Sequence, residues 1–307
     1  MNKPQVTVII PTFNMAHYLG ECISSVTRQS VGNMEVIVID DGSTDNTNEI
    51  VSSFGNRVSY FYQSNRGESA ARNMGIKISS GEYLAFLDAD DIWLPEKIEK
   101  QIAVLNRNPN IGMVACGYTV VNETGRILYA NAPRNYNNRE TLRNALSIAQ
   151  IIPGSASGVL IRRECFGRLG CFDEEIKIGP DWDMWLRISS SYEIYFIEET
   201  LVTIRRTSGK PEFRNPLKEE FYVGRVIEKN VKRSKKNRAY AALYHRLGQN
   251  ELAAHRMKES MSYILRSLMR YPLPIYPKYM REREYFMRDS RMYILLKSVA
   301  FRMLNRK

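Results

Sequence analysis

Three short apolar runs constrain this chain more than any other feature. QVTVII at 5–10, EVIVI at 35–39 and YLAFL at 83–87 have nearly continuous apolar character over strand length. That is the pattern of strands covered on both faces. Segments of helical spacing lie between them. Residues 15–29 repeat apolar side chains at Leu19, Cys22, Ile23 and Val26. Residues 44–54 do so at Ile50, Val51 and Phe54, with Ser43 or Thr44 as the expected cap. A strand-like RVSYFY at 57–62 precedes a helix over 68–79, and Pro95 opens another that reaches about Leu105. Strands and helices alternating through short connections require a mostly parallel sheet with helices on both faces. The fold class is therefore α/β.

Beyond residue 110 the pattern loosens. Strands are expected near 111–121 and 156–162, a helix over 181–191, and short strands near 194–205. From about 215 the chain reads as helical and basic, with Gly248 separating stretches at 219–246 and 250–270. Pro272, Pro274 and Pro277 end that pattern before a last basic segment at 285–305. Charge divides at the same place. Residues 1–204 carry 18 Lys and Arg against 24 Asp and Glu, a net of −6, whereas residues 205–307 carry 26 against 9, a net of +17. Two halves of opposite charge imply two tasks. We expect a catalytic domain over 1–215 and a basic helical region over 216–307.

Several classes are excluded. No run approaches the ~18 apolar residues of a membrane-spanning helix. The N-terminal MNKPQVTVIIPTF reads as a strand and not a secretory signal, so a cytoplasmic location is expected. Cys22, Cys116, Cys165 and Cys171 lack Cys-x-x-Cys spacing and read as reduced, mostly buried thiols. Three scattered histidines, His17, His245 and His255, make a histidine metal site improbable. Asn122-Glu123-Thr124 has the form of a glycosylation site but lacks the secretory context.

In open α/β sheets ligands bind beyond the carboxyl ends of the strands, near the point where strand order reverses. Pro11, Phe13 and Asn14 follow the first strand, Asp40 and Asp41 the second, and Asp88, Ala89, Asp90 and Asp91 the strand at 83–87. Either acidic cluster alone would be an ordinary turn or helix cap. Together, five carboxylates on converging loop ends call for a hard cation. Mg²⁺ or Mn²⁺ takes one or two carboxylates and completes its shell with phosphate oxygens. There is no Gly-x-x-x-x-Gly-Lys-Ser/Thr loop and no Gly-x-Gly-x-x-Gly after the first strand, so a diphosphate would be gripped through a metal.

The run VIIPTFN at 8–14, DDGSTD at 40–45, Asn65-Arg66-Gly67 with Ala70-Ala71-Arg72-Asn73-x-Gly75, and LDADD at 87–91 closely resembles the family 2 inverting glycosyltransferases of GT-A fold, over about residues 5–205. The resemblance implies a nucleoside-diphosphate-sugar donor, UDP first among them. It places Phe13 on the nucleobase, Asp41 on the base imide, Asp40 near the ribose, and Arg72 and Asn73 in the segment approaching the donor. Asp88 and Asp90 become the Asp-x-Asp metal element, with Asp90 the direct ligand.

Inverting transfer needs a carboxylate to take the acceptor's proton. GPDWDMWLR at 179–187 is similar to the family's Glu-Asp segment that opens a helix, with Asp181 at the base position and Pro180 in place of the glutamate. Asp183 is a second candidate. Trp182 is either an acceptor platform or a core residue. Gly158–Arg163 and Gly170–Glu174 match the acceptor-side half. Arg205 and Arg206 lie where relatives carry Arg-x-His near the diphosphate, with Thr207 replacing the histidine. Residues 281–307 mix eight basic and three acidic residues with aromatic and aliphatic ones. Such a mixture suits an anionic membrane surface. The expected acceptor is a glycan or a lipid-linked hydroxyl in cell-surface polysaccharide synthesis, at the inner face of the cell membrane, and no nucleic-acid partner is expected. The rival readings are a sugar-phosphate nucleotidyltransferase, which would show a Gly-rich basic loop after the first strand, and a non-catalytic basic adaptor.

Overall fold

The computed structural model describes residues 3–206, 215–272 and 275. The chain divides into two compact units, residues 1–139 with 152–210, and residues 140–151 with 211–307.

The first unit is built on Val6–Thr12 (β1), Met34–Asp40 (β2), Ser59–Tyr62 (β3) and Tyr83–Phe86 (β4), all mutually parallel. β1 is buried along its whole length and lies between β2 and β4, pairing Val6 with Met34 and with Tyr83. The order β3-β2-β1-β4 places the reversal of strand order between β1 and β4. The sheet continues through Ile92–Trp93 (β5), Ile111–Asn122 (β6), Ile127–Asn131 (β7), Val159–Arg162 (β8) and Glu193–Arg206 (β9), in the order β4-β8-β6-β9-β5 with β7 on β6. β8 is antiparallel to β4 and β6, and β5 to β9, so the whole sheet is mixed. β9 is one long strand and not the short pieces expected, because register shifts opposite Cys116 and Gly117 let it bend without breaking.

Ala16–Thr27 (α1) buries Leu19, Cys22, Ile23 and Val26, as its spacing requires. Thr47–Ser52 (α2) starts later than expected, and neither Ser43 nor Thr44 caps it. Ser43 N donates to Asp40 Oδ1 (2.7 Å), forming a local turn that competes with helix initiation, and Asp45 Oδ1 accepts from Thr47 N (3.1 Å) instead. Glu68–Ile78 (α3) lies close on β1, where a Cβ on Gly75 would stand 2.4 Å from Ile9 Cγ2. Lys97–Arg107 (α4) follows Pro95. Arg139–Leu146 (α5) falls, from residue 140 on, in the second unit, and Arg163–Leu169 (α6) and Pro180–Ser191 (α7) complete the helices of the first.

The second unit contains Pro216–Asn230 (α8), Arg233–Ala253 (α9) and Met257–Arg270 (α10). Asn215 Oδ1 caps α8, accepting from Leu217 N and Lys218 N (3.1 Å each), and Pro216 occupies its first turn. Gly248 does not separate two helices. It lies inside α9, and the helical breaks fall near 231 and 255. The reason is packing: a Cβ at 248 would stand 2.7 Å from Ile264 Cδ1, and Ser260 Oγ donates to Gly248 O (2.8 Å), so glycine lets α10 approach α9. Among the described residues no helix is long and apolar enough to cross a membrane. The basic segment 281–307 and Thr207 lie outside the described residues.

Candidate active site

The carboxyl ends of β1, β2 and β4 bring three loops together. Pro11 does not follow the first strand but lies buried inside β1, paired with Ile39, and the first residue beyond the strand, Phe13, turns outward, 45% exposed, so it is not a core aromatic. Asn14 adopts φ 52°, a left-handed conformation that asparagine tolerates better than most residues. Its Oδ1 accepts from Thr44 N (2.8 Å) and its N donates to Ser43 Oγ (2.9 Å), which fastens the β1 loop to the β2 loop.

Asp40 and Asp41 face different ways. Asp40 is buried and accepts from Ser43 N and from the Tyr60 hydroxyl (both 2.7 Å). Burial, and then the Asp40 carboxylate, hold the Tyr60 phenol well above its usual pKa. Asp41 Oδ1 accepts from Gln63 Nε2 (2.6 Å) and Arg66 N (2.8 Å), and Oδ2 from Gly67 N (2.7 Å). Three of about four acceptor positions are thus taken by its own chain, and the remaining one is on Oδ2. Gly42 between the β2 end and this loop has φ 89°, and a Cβ there would lie 2.9 Å from Asn65 N, so the turn requires glycine.

After β4, Asp88 is partly exposed while Ala89, Asp90 and Asp91 are buried. Asp91 Oδ2 accepts from Ser157 Oγ (2.6 Å), and its Oδ1 from Arg205 N (3.3 Å). Burial, followed by the charges of Asp88 and Asp90, pushes the Asp91 carboxyl well above the usual range. Asp88 N in turn donates to Ser157 Oγ (3.1 Å). This crowding of oxygen ligands suits a hard divalent ion. Among the described residues no group of three or more His, Cys, Asp or Glu assembles that could hold a metal ion by itself.

Arg72, on α3, is buried and joins the two sides of the site. Its Nη2 donates to Asp88 Oδ1 (2.9 Å) and pairs with Glu68, and its Nη1 donates to Asp181 Oδ1 (2.7 Å). The guanidinium lies over the Phe172 ring, 5.4 Å from its centroid. Burial disfavours its charge, but Glu68, Asp181 and Asp88 outweigh burial and raise the pKa above the ordinary arginine value. Asn73, next in sequence, bonds to the 172–174 loop. Its Oδ1 accepts from Phe172 N (2.9 Å) and its Nδ2 donates to Phe172 O (2.9 Å) and Glu174 Oε1 (3.0 Å), so it anchors the 172–174 loop.

Asp181 lies in the first turn of α7, behind Gly179 (φ 79°) and Pro180. Its Oδ2 accepts from Ser155 Oγ. Asp183 is fully buried and bound by Arg187, Nη2 to Oδ2 at 2.8 Å, and the same guanidinium holds the carbonyls of Leu169, Gly170 and Cys171. It is a structural ion pair. Trp182 is buried, which removes the acceptor-platform reading. The Arg205 guanidinium pairs with Glu21 and lies over Tyr18, while Arg206 is exposed. Ser155 and Ser157 were missed by the sequence reasoning, which took 156–162 as a strand. The Gly-Ser-Ala-Ser-Gly composition of 154–158 was the available turn signal.

Residues 7–170 match the sequence profile of Glycosyl transferase family 2. The chain belongs to that family. An uncharacterized family relative, a glycosyltransferase of Rickettsia typhi, is 37% identical over 206 residues, 66% of this chain and 64% of that protein. The chain thus spans somewhat less than two thirds of that relative. The UDP-Glc:alpha-D-GlcNAc-diphosphoundecaprenol beta-1,3-glucosyltransferase WfgD of Escherichia coli is 36% identical over 146 residues, 47% of this chain and 57% of that protein. Among solved structures, S. aureus TarS 1–349 with UDP-GlcNAc has a TM-score of 0.58 at 18% identity, over 86% of this chain and 81% of that one. The mannosyltransferase PcManGT of Pyrobaculum calidifontis, with GDP-Man and Mn2+, has a TM-score of 0.57 at 17% identity, over 100% of this chain and 89% of that one. At these identities the two structures establish the fold alone, a GT-A-like α/β architecture.

Proposed function

We propose that this family 2 glycosyltransferase moves a sugar, with inversion, from a nucleoside-diphosphate sugar, most simply a UDP-sugar, to a hydroxyl of a glycan or lipid-linked acceptor. The observation that carries the reading is the Arg72 fork: one buried guanidinium holds Asp88, on the donor side, and Asp181, on the acceptor side, within a single network. Phe13 stacks on the nucleobase and Asp41 Oδ2 has an acceptor position left for the base imide. Asp181 takes the acceptor hydroxyl proton while that oxygen bonds to the anomeric carbon and the bond to the diphosphate breaks on the opposite face. A divalent ion on Asp88 and Asp90 would neutralise charge on the departing diphosphate. The UDP-glucose donor and lipid-diphosphate acceptor named for WfgD, and the Mn2+ named for PcManGT, support this choice. Asn73 acts through the 172–174 loop and not by touching the donor.

The test is a panel of UDP-glucose, UDP-N-acetylglucosamine and GDP-mannose with and without Mn²⁺, read by calorimetry and by turnover. Asp90→Ala is expected to abolish divalent-linked nucleotide binding. Asp181→Ala is expected to keep binding and lose transfer, and the anomeric configuration of the product reports inversion. If no nucleoside diphosphate binds in a divalent-dependent way, the reading fails.

The residues from 216 onward form, in this proposal, a domain that meets an anionic membrane at the inner face of the cell membrane. Leu217 and Phe221 on α8 and Leu265 and Met269 on α10 are exposed, as are Lys218, Arg225 and Arg270 on the same two helices, which the Glu220–Arg266 ion pair joins. Apolar side chains mixed with cations suit such a surface. Flotation with phosphatidylglycerol vesicles, but not with phosphatidylcholine ones, is expected. Equal behaviour with both removes the membrane claim.

A further inference from the structure

We infer that Ser155 is a positioning residue for Asp181, and that the turn at 153–158 sets the acceptor-side carboxylate against the donor-side ones. The inference rests on Asp181 acting as the base in the reading above.

Ser155 has φ 48°, directly after Gly154 at φ 71°. Glycine occupies this left-handed region without steric penalty and serine does not. A turn alone would favour glycine at both positions, so what serine adds is its hydroxyl. That hydroxyl donates to Asp181 Oδ2, while Arg72 donates to Oδ1 at 2.7 Å. Held at both oxygens, the carboxylate cannot rotate without losing a bond. Each oxygen keeps a second lone pair, so the bonds orient the base without blocking it.

Two residues on, Ser157 serves the other side of the site. Its Oγ donates to Asp91 Oδ2 (2.6 Å) and accepts from Asp88 N (3.1 Å), and its carbonyl accepts from Trp93 Nε1 (2.8 Å). The turn between the serines is tight. A Cβ on Gly158 would lie 2.6 Å from Pro153 O. Gly158 N also bonds back to Gly154 O (3.1 Å). A shift of Ser155 is therefore transmitted to Ser157, and the base and the strand-end aspartates share one rigid mount.

The experiment compares Ser155→Gly, Ser155→Ala, Asp181→Asn and the Ser155→Gly/Asp181→Asn pair in the full chain. The donors are UDP-glucose, UDP-N-acetylglucosamine and GDP-mannose with Mn²⁺, whichever the unmodified chain consumes. Ser155→Gly relieves the backbone strain, so its thermal midpoint is expected at or above that of the unmodified chain. Its KM for donor should stay within about twofold while kcat falls about 10- to 100-fold, the effect of a slightly misplaced catalytic group. Ser155→Ala should lose kcat to the same extent. In the Asp181→Asn background Ser155→Gly should cost nothing more, because a positioning residue has nothing left to position. Full kcat in Ser155→Gly overturns the inference alone, as does an equal further loss in the Asp181→Asn background. Full turnover by Asp181→Asn, or no turnover by the unmodified chain, overturns the underlying reading and the inference with it.

Discussion

Arg72 and Asp181 meet at 2.7 Å across 109 positions of sequence, and this contact ties the helix after β3 to the helix that carries the candidate base. Removing one member of a buried ion pair leaves the others uncompensated. Arg72→Met is therefore expected to destabilise the first unit by about 3–5 kcal/mol in urea unfolding and to abolish transfer. Arg72→Lys restores a charge but not a fork able to hold Asp88 and Asp181 together. It should recover part of the stability and little of kcat.

Phe13 makes the opposite prediction. It is 45% exposed at the end of β1, so little packing depends on it. Phe13→Ala should leave unfolding unchanged within about 0.5 kcal/mol. If its ring stacks on the nucleobase, nucleotide binding should weaken by about 1–3 kcal/mol, roughly 5- to 150-fold in Kd. Calorimetry with UDP and Mn²⁺ checks it, and an unchanged Kd removes the stacking role.

The sequence was most legible where one local rule acted alone. The first two apolar runs and the one at 83–87 became β1, β2 and β4, and the α1 spacing buried the four residues it named. It was least legible where side chains from distant segments decided the outcome. Asp40 and Asp41 are adjacent and chemically alike, yet one is sealed under Tyr60 while the other organises residues 63–67. Nothing local distinguishes them. Asn73 follows Arg72 directly but bonds to Phe172, 99 residues away, and Asp183 is bound by Arg187 one turn on. Ser155 escaped because a strained backbone angle has no sequence period. Gly248 misled for the same kind of reason, since a helix-interior glycine and a helix-ending one look alike until the neighbouring helix is in place.

That glycine sets two effects against each other. Alanine at 248 would gain about 1 kcal/mol of helix propensity. Its Cβ would also lie 2.7 Å from Ile264 Cδ1, 2.9 Å from Ile264 Cγ1 and 3.3 Å from Ser260 O, and Ile264 is fully buried. Overpacking of this kind costs about 1–3 kcal/mol. Gly248→Ala should therefore lower the stability of the second unit by up to about 2 kcal/mol despite the better propensity. Adding Ile264→Val, which removes Cδ1, should recover part of the loss. A stabilised Gly248→Ala would mean that α10 does not approach α9 so closely.

Lys97 supplies a prediction in pH. It is fully buried on α4, its Nζ donating to Gln101 Oε1 (2.9 Å) and lying 3.9 Å from the centroid of Trp93. Burial disfavours the ammonium and lowers its pKa from 10.5 to about 8. Below about pH 8 the group is charged in both folded and unfolded chains, and the folded state bears the full desolvation cost. Between about 8 and 10.5 the unfolded chain binds the extra proton, so this group makes stability rise with pH across that window. Lys97→Met removes the term. Its stability relative to the unmodified chain should be greatest at pH 7 and should decline by about 3 kcal/mol on reaching pH 10.5. Urea unfolding of both proteins at pH 7, 9 and 10.5 measures the difference. A gap that is constant with pH would mean that Lys97 stays charged throughout, stabilised on the Trp93 face more strongly than burial opposes it.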